Sequence, residues 1–334
     1  MAGQYRVKRK IFQSISQLSE NGSLTVDLPR GYDAESYFIR LTGVAHVTTG
    51  GTAVRALAPC QLLKRVELIA DGKNTISSVP GWYLAKNPRR GQTAFIQPPT
   101  AASAADYNVE GFFVLDQSMI DGIRPKDSNL RTQGLQLLQM KFTLGQLSDM
   151  FTGSAVGNMT TFMIEIGVVE TVELADPKTG EVTKPLYLIK RSYQEIALTS
   201  NNANQQIILP VGNILRSVDL LTTISGEPSN AVLNNVTLQS NQDVRVNLPG
   251  TMLQRLNSMD YDPTGILTNS TGVAVSSSVM TGFYSVDLMR NGNMDTNVTN
   301  AWDLSGASEA KLVVDVNGTA NTFLTVVITE IIRG

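Results

Sequence analysis

The side chains that most often do chemistry in proteins are sparse in this sequence. His46 is the only histidine, so a Ser/His/Asp triad could be built on that residue alone. It lies in the alternating run 44–47, which is typical of a strand and favours a structural role. Cys60 is the only cysteine, which excludes an intrachain disulfide and a multi-cysteine zinc site. It precedes two leucines, and we expect it in the core.

Paired carboxylates are a catalytic arrangement that the composition leaves open, because a glycosidase needs only two of them. The candidates are Asp116, Asp287, Glu165 and Glu170. Asp116 and Asp287 occupy equivalent points of the internal repeat described below, which would place them in different domains. We therefore expect turn or strand-end roles and predict no catalytic residues.

Oxygen ligands for a hard cation such as Ca²⁺ could come from acidic residues in the loops. Four such residues are Asp260, Asp262, Asp295 and Asp303. None has the spacing of a known calcium loop, and metal sites made of several imidazoles are excluded by the single histidine. The sequence predicts no metal site and no cofactor, with a structural Ca²⁺ as the open alternative.

The elements that must position these residues occur in two copies. A shift of 181 positions places residues 12–42 on residues 193–223 without a gap. A fold that is built twice accounts for this repeat. Three further blocks match in the same order: 79–84 with 248–253, 111–116 with 282–287, and 161–163 with 322–324.

Both copies are dominated by alternation of polar and apolar residues, which predicts strands with one buried face. Short helices are predicted after the two Pro-Gly pairs, at 82–86 and 251–257. The first copy has eight predicted strands, at 11–18, 23–28, 36–47, 62–70, 75–79, 109–116, 136–144 and 160–174. The second copy also has eight, at 193–199, 204–209, 214–225, 231–238, 243–248, 282–290, 310–316 and 322–332.

These elements predict an all-β chain of two tandem eight-stranded jelly rolls, with one short helix in each. Two long irregular stretches, 87–108 and 260–280, occupy the same place in each copy and are typical of contact loops. The predicted domains are a basic N-terminal arm at 1–10, jelly roll 1 at 11–175, a linker at 176–185 and jelly roll 2 at 186–334.

The composition favours a protein that is buried against other subunits. Only 17% of the 334 residues are charged, whereas 42% are hydrophobic, and the formal net charge is −2. The total charge gives no sign of a specific nucleic-acid site. No apolar run reaches the ~20 residues that span a bilayer, and no secretory signal is visible, so we expect folding in a reducing cytoplasm.

Basic residues cluster at two equivalent points of the repeat. A short arm of this kind could contact phosphates of lipid or nucleic acid, and it could equally be a solvated terminus or a strand entry that tolerates charge. Because both cores are predicted to begin near Phe12 and Tyr193, we expect removal of residues 1–10 to leave the fold intact. The candidate membrane-facing residues are Arg6, Lys8, Arg9, Lys10, Lys190 and Arg191.

This arrangement resembles the double jelly-roll major capsid proteins of tailless, lipid-containing icosahedral bacteriophages and of the adenovirus-type lineage. The Pro80-Gly81 and Pro249-Gly250 corners and the closing strands that start near Thr161 and Thr322 carry the resemblance. It covers the whole chain and rests on architecture, since the lineage has no short diagnostic motif. Within it, the chain is most similar to the flavobacterial lipid-containing single-stranded-DNA phage.

The resemblance implies a structural function without enzyme activity. Homotrimers with a pseudo-hexagonal footprint would tile an icosahedral shell around an internal membrane. The bases of the jelly rolls would face the lipid, and the stretches 87–108 and 260–280 would form outward towers. The implied partners are the chain itself, minor capsid and vertex proteins, and the membrane. The implied location is the virion, after synthesis in the host cytoplasm.

Two alternatives come from other functional classes. A double jelly-roll hydrolase acting on glycans would need carboxylates in one cleft and aromatic side chains that stack on sugars, but aromatic residues make up only 6% of the chain. A trimeric adhesin or spike would favour an elongated stem, and no heptad run is visible.

Overall fold

The computed structural model describes most of the chain as two compact units. Unit 1 contains residues 1–189, 266–276 and 333–334, and unit 2 contains residues 190–265 and 277–332. The predicted linker 176–185 and parts of both predicted towers lie outside the described residues. The described residues are 4–49, 52–85, 95–97, 101–102, 104–118, 128–151, 153, 156–173, 186–241, 243–260, 264–269, 274–278, 281–289 and 301–333.

Alternating sequences give strands along nearly all of the first half of the chain. Its elements are β1 (Gln4–Gln13), β2 (Ser23–Asp27), β3 (Asp33–Thr49), β4 (Thr52–Ala53), α1 (Ala58–Gln61), β5 (Leu63–Ala70), β6 (Asn74–Val79), α2 (Gly81–Ala85), β7 (Phe95–Gln97), β8 (Ala101–Ala102), β9 (Ala105–Asp116), β10 (Leu130–Arg131), β11 (Leu138–Leu144), a 3₁₀ helix (Leu147–Met150) and β12 (Val156–Glu173).

The second half repeats the main strands of this order and has one longer helix. Its elements are β13 (Tyr187–Ala197), β14 (Asn202–Ile208), β15 (Ile214–Ile224), β16 (Glu227–Pro228), β17 (Leu233–Ser240), β18 (Asp243–Pro249), α3 (Gly250–Asp260), β19 (Thr264–Asn269), β20 (Ala274–Ser278), β21 (Phe283–Asp287), β22 (Trp302–Asp303), β23 (Ala310–Val316) and β24 (Thr322–Arg333).

Unit 1 is a jelly roll of two antiparallel sheets. One sheet has the order β1-β12-β3-β9, and the other has the order β2-β11-β5-β6. The burial of β11 alternates along its whole length, as expected for a strand with one face on the core. Large side chains such as Tyr37, Phe113, Phe142 and Phe162 fill the space between the sheets and are almost fully buried.

Unit 2 has the same topology. Its first sheet contains β13-β24-β15-β21 and its second contains β14-β23-β17-β18. One apolar cluster, which includes Leu220, Val236, Leu312 and Leu324, forms the core. The predicted all-β architecture with paired jelly rolls is therefore confirmed.

The repeat in sequence is also a repeat in strand register. Ser36 on β3 faces Asp116 on β9, and Ser217 on β15 faces Asp287 on β21. The two serines are 181 positions apart, which is the shift read from the sequence. Gly31 and Gly212, also related by this shift, have φ of 133° and 93°, a conformation that favours glycine.

The predicted start of the first strand, residue 11, is wrong. β1 begins at Gln4, and its pairing with β12 runs from Gln4 opposite Glu173 to Gln13 opposite Glu165. Charged residues concealed the strand, although an edge strand readily carries them on its outer side. Residues 4–10 therefore belong to the first jelly roll. The expectation that the fold survives removal of residues 1–10 stays a prediction, and the deletion would take away most of β1.

The two predicted helices are confirmed, as α2 and α3. Unit 1 adds two single-turn elements that no periodic pattern announced, α1 and the 3₁₀ helix. α1 has a proline in its first turn, where the missing N–H costs nothing, and it buries Cys60 as predicted.

Candidate assembly surface

His46 does not form a catalytic arrangement in the described part of the chain. It lies on β3 opposite Asp106 on β9, and its Nδ1 is 2.5 Å from Asp106 Oδ1. Both side chains are about half exposed or more, at 47% and 65%. No serine or threonine hydroxyl among the described residues hydrogen-bonds to the imidazole, so the dyad lacks a nucleophile.

The four candidate carboxylates are separated or engaged by cations. Asp116 and Asp287 occupy equivalent positions in different units. Glu165 lies 3.2 Å from Arg40 Nη1 and 3.6 Å from Lys10 Nζ. Glu170 accepts two hydrogen bonds from the Arg9 guanidinium, at 2.9 and 3.3 Å.

Cation ligands do not converge in the described ranges, where no group of three His, Cys, Asp or Glu side chains could hold a metal ion. Of the candidate calcium ligands, Asp303 accepts a hydrogen bond from the Ser305 N–H at 2.9 Å. The side chains of Asp260, Asp262 and Asp295 lie outside the described residues. None of the helices in the described parts of the chain has the length and apolar character to span a bilayer.

The basic residues of β1 lie along a strand, and three of the four have partners. Arg6 donates a hydrogen bond to Glu35, and this bond raises the pKa of the Arg6 guanidinium above its ordinary value. Arg9 donates to the buried Glu170, and Lys10 donates to Gln13 at 2.8 Å. Lys8 has no hydrogen bond or ion pair with a described residue. It is the cation of this group with the most freedom to contact an external anion.

The equivalent basic pair in unit 2 is less accessible. Lys190 is partly exposed, but only 5% of Arg191 is exposed. The Nε and Nη1 of Arg191 have no hydrogen-bond partner among the described residues. Burial removes Arg191 from the charges that this chain can present to a membrane, which corrects its place in the candidate set.

An open groove crosses the outer face of the β1-β12-β3-β9 sheet and encloses about 410 Å³. Phe38 and Phe112 stack in it with ring centroids 5.8 Å apart. Phe38 packs beside Gly167 on β12, where a Cβ would lie 3.8 Å from the Phe38 Cβ. We call this the Phe38–Phe112 groove; its rim carries Lys8, Lys10 and Arg40.

Arg40 is fixed at the rim by two acids. It donates to Glu110 at 2.8 Å and to Glu165 at 3.2 Å, and these bonds raise its pKa above the ordinary range. The groove therefore combines an aromatic floor with a rim on which Arg40 and Lys10 are paired with acids and Lys8 is paired with none of the described residues. Around Arg40 the surface suits a protein partner, because paired charges need little compensation on burial.

The same face of unit 2 is already covered. Phe112 is 37% exposed, whereas Phe283, its equivalent in the repeat, is 1% exposed. Ten consecutive residues of β15, from Ile214 to Thr223, are buried, while the outward residues of β3 from Phe38 onward are not. One chain thus buries this face in one unit and leaves it open in the other.

The outer faces of the two four-stranded sheets also differ. In unit 1, Glu67 on β5 is flanked by Arg65 at 2.8 Å and Lys141 at 3.6 Å. Register places Thr237, Asn235 and Val313 at the three corresponding points of unit 2. A charged row has been replaced by a neutral one, as expected if the two units meet different neighbours.

The Phe38–Phe112 groove was not predicted from the sequence. The two rings lie on different strands, and only the β3–β9 register brings them together. A usable signal was the exposed member of Gly111-Phe112-Phe113, since strict alternation points one of two adjacent phenylalanines outward.

No protein-family model matches the chain, and no curated protein matches it. Solved structures, however, do match the chain. The major capsid protein of Sulfolobus turreted icosahedral virus has a TM-score of 0.73 at 14% identity, covering 98% of this chain and 97% of that chain. The major capsid protein P2 of bacteriophage PM2 has a TM-score of 0.59 at 15% identity, covering 98% and 97%.

The Faustovirus major capsid protein has a TM-score of 0.61 at 9% identity, with 99% of this chain and 90% of that chain covered. The resemblance to the flavobacterial phage is not tested by these structures and stays a prediction. The predicted architecture is confirmed: this chain has the double jelly-roll fold that these major capsid proteins share.

Proposed function

We propose that this chain is the major capsid protein of an icosahedral virus and is located in the virion. The observation that carries the proposal is the structural match to two double jelly-roll capsid proteins. In each case the match covers 98% of this chain and 97% of the capsid protein. The match extends over both jelly rolls of this chain.

The proposed assembly is a homotrimer with six jelly rolls in a pseudo-hexagonal ring, which tiles a shell around an internal membrane. The asymmetric surfaces of the two units support this arrangement. A ring of alternating units gives the first and the second unit different neighbours, and the open and buried faces at Phe112 and Phe283 differ accordingly. Minor capsid and vertex proteins are the further partners.

Enzyme activity is not part of the proposed function. The exposed His46–Asp106 dyad and the cation-paired Glu165 and Glu170 offer no hydrolytic centre in the described residues. The hydrolase and adhesin alternatives gain no specific support from these contacts.

The membrane side of the proposal rests on Lys8 and its neighbours. Near an anionic surface each exposed Lys or Arg contributes about 1 kcal/mol, and the contribution fades beyond a Debye length. Three copies of Lys8, Lys10 and Lys190 per trimer could hold a capsomer on a vesicle, although Lys10 is partly neutralised by Glu165.

Cosedimentation of trimers with phosphatidylserine vesicles at low salt tests this contact. We expect Lys8→Gln with Lys190→Gln to weaken binding, whereas Lys311→Gln, a lysine of β23 that is paired with Glu309, serves as the matched control. Truncation of residues 1–10 is unsuitable, because it would remove most of β1. Equal binding by the unaltered chain, the double variant and the control would refute the membrane contact and leave the capsid proposal standing.

A further inference from the structure

One helix and one sheet face are each buried in one unit and exposed in the other. Tyr83 on α2 is 1% exposed, but Met252, at the same point of α3, is 52% exposed. Phe283 on β21 is 1% exposed, but Phe112, at the same point of β9, is 37% exposed. These values include shielding by the whole chain. A single copy therefore leaves an uncovered helix on unit 2 and an uncovered sheet face on unit 1.

The exposed side of α3 is a defined apolar ridge. Met252 and Leu256, which is 44% exposed, lie one turn apart and project from the same side. An adjacent side of the helix is fixed to the unit 2 core through Leu253. Asn257 adds two hydrogen bonds of 2.8 Å to the backbone of Ser285 on β21. The ridge is held rigidly, so little order has to be gained when it binds.

The Phe38–Phe112 groove has matching chemistry. Its floor is the stacked ring pair, and methionine and leucine pack favourably on aromatic rings. On its rim, Arg40 is already paired with Glu110 and Glu165. An apolar ridge that packs there therefore leaves neither carboxylate buried without a cation. One copy of the chain thus leaves three large apolar side chains exposed to solvent, and a second copy could bury them: Met252, Leu256 and Phe112.

We infer that the Met252–Leu256 ridge of one copy packs into the Phe38–Phe112 groove of the next copy. The inference rests on the proposed capsid trimer and names its contact. The contact joins different surfaces of the two copies, so it repeats head to tail and closes when the ring is complete. The contact would bury α3 of unit 2 and the open sheet face of unit 1. Their counterparts, α2 of unit 1 and the equivalent sheet face of unit 2, are already buried within a single chain.

Paired cysteine substitutions test the geometry in the full chain. Phe112→Cys with Met252→Cys is treated with a short bismaleimide, and the products are separated under denaturing conditions. The native Cys60 is buried, so the unaltered chain gives the background. We expect covalent dimers and trimers from the double variant and background from either single variant. Dimers from Met252→Cys alone would overturn the inference, since they require two ridges to meet each other.

Charge substitution tests the energetics. We expect Met252→Asp or Phe112→Asp to raise, by about tenfold or more, the concentration at which half of the chains are trimeric. The matched controls are Val211→Asp in unit 2 and Val156→Asp in unit 1, which are exposed valines away from the ridge and the groove. Circular dichroism and thermal melting verify that each variant is folded.

The outcomes separate the two proposals. In the first, the unaltered chain is trimeric, the double cysteine variant gives no crosslink between copies, and test and control substitutions have equal effects. That result overturns the contact but leaves the capsid function. In the second, the unaltered chain stays monomeric, which overturns the contact together with the proposed trimer.

Discussion

Gly81 and Gly250 make the same close approach in the two units. Gly81 begins α2, and a Cβ there would lie 2.3 Å from the carbonyl oxygen of Leu63. Gly250 begins α3, and a Cβ there would lie 2.4 Å from the carbonyl oxygen of Leu233. Leu63 and Leu233 are the first residues of the corresponding strands β5 and β17. The Pro-Gly corner is therefore a packing requirement of each jelly roll.

Alanine at either corner is expected to destabilise the fold. The added methyl group would meet backbone, which cannot turn aside as a flexible side chain can, so we expect a loss of about 1–3 kcal/mol. Chemical denaturation of Gly81→Ala and Gly250→Ala measures it. Gly306→Ala is the matched control, because no atom lies within 4 Å of its Cβ position. Equal stability of all three variants would contradict the close approach.

A second prediction concerns the contribution of the Arg9–Glu170 ion pair to stability. The Glu170 side chain is 2% exposed, so loss of its cation leaves a buried charge without compensation. We expect Arg9→Met to lower the free energy of unfolding by about 2 kcal/mol. Lys10→Met should cost less than about 1 kcal/mol, because its partner Glu165 is 24% exposed and also contacts Arg40. Similar losses for both variants would argue against a special role of burial.

We expect Tyr37 to make the stability of the protein sensitive to alkaline pH. Burial, with a contribution from the Glu170 charge, raises the pKa of Tyr37 above its ordinary value of 10.0. The folded state holds the phenolic proton more tightly than the unfolded state, so the related stability is complete below pH 10 and falls as the pH rises above it. We expect a shallower alkaline loss of stability in Tyr37→Phe. The exposed Tyr32→Phe is the control, and identical slopes for all three proteins would be the contrary result.

His46 is predicted to be dispensable for assembly. Its imidazole bonds only to the exposed Asp106 among the described residues, so His46→Gln removes one surface contact worth less than about 1 kcal/mol. We expect normal oligomer formation by size-exclusion chromatography. Hydrolysis of glycan or peptide substrates by the unaltered chain that disappears in His46→Gln would contradict the proposed function.

Much of the architecture could be predicted because it depends on local sequence patterns. Alternation located β2, β11, β18 and β23, and the Pro-Gly pairs located α2 and α3. The repeat predicted that Asp116 and Asp287 are equivalent, and strand register confirms it. The start of β1 escaped prediction because an edge strand tolerates charge at positions that an inner strand would fill with apolar residues.

The surfaces were less predictable than the fold. Whether Arg191 is exposed depends on what packs around its strand, and sequence spacing cannot show that. Phe112 and Phe283 match in the repeat, yet Phe112 is exposed and Phe283 is buried, a difference that the repeat itself does not predict. Local patterns set which side of a strand a residue occupies, and long-range packing decides whether that side meets solvent.

The native mass of the unaltered chain at micromolar concentration tests the central claim most directly. A capsid protein whose two jelly rolls alternate around a pseudo-hexagonal ring should have the mass of three chains, because an obligate interface buries on the order of 2,000–5,000 Å². We predict a trimer that persists on dilution without dissociating agents. The mass of a single chain under the same conditions would contradict the account.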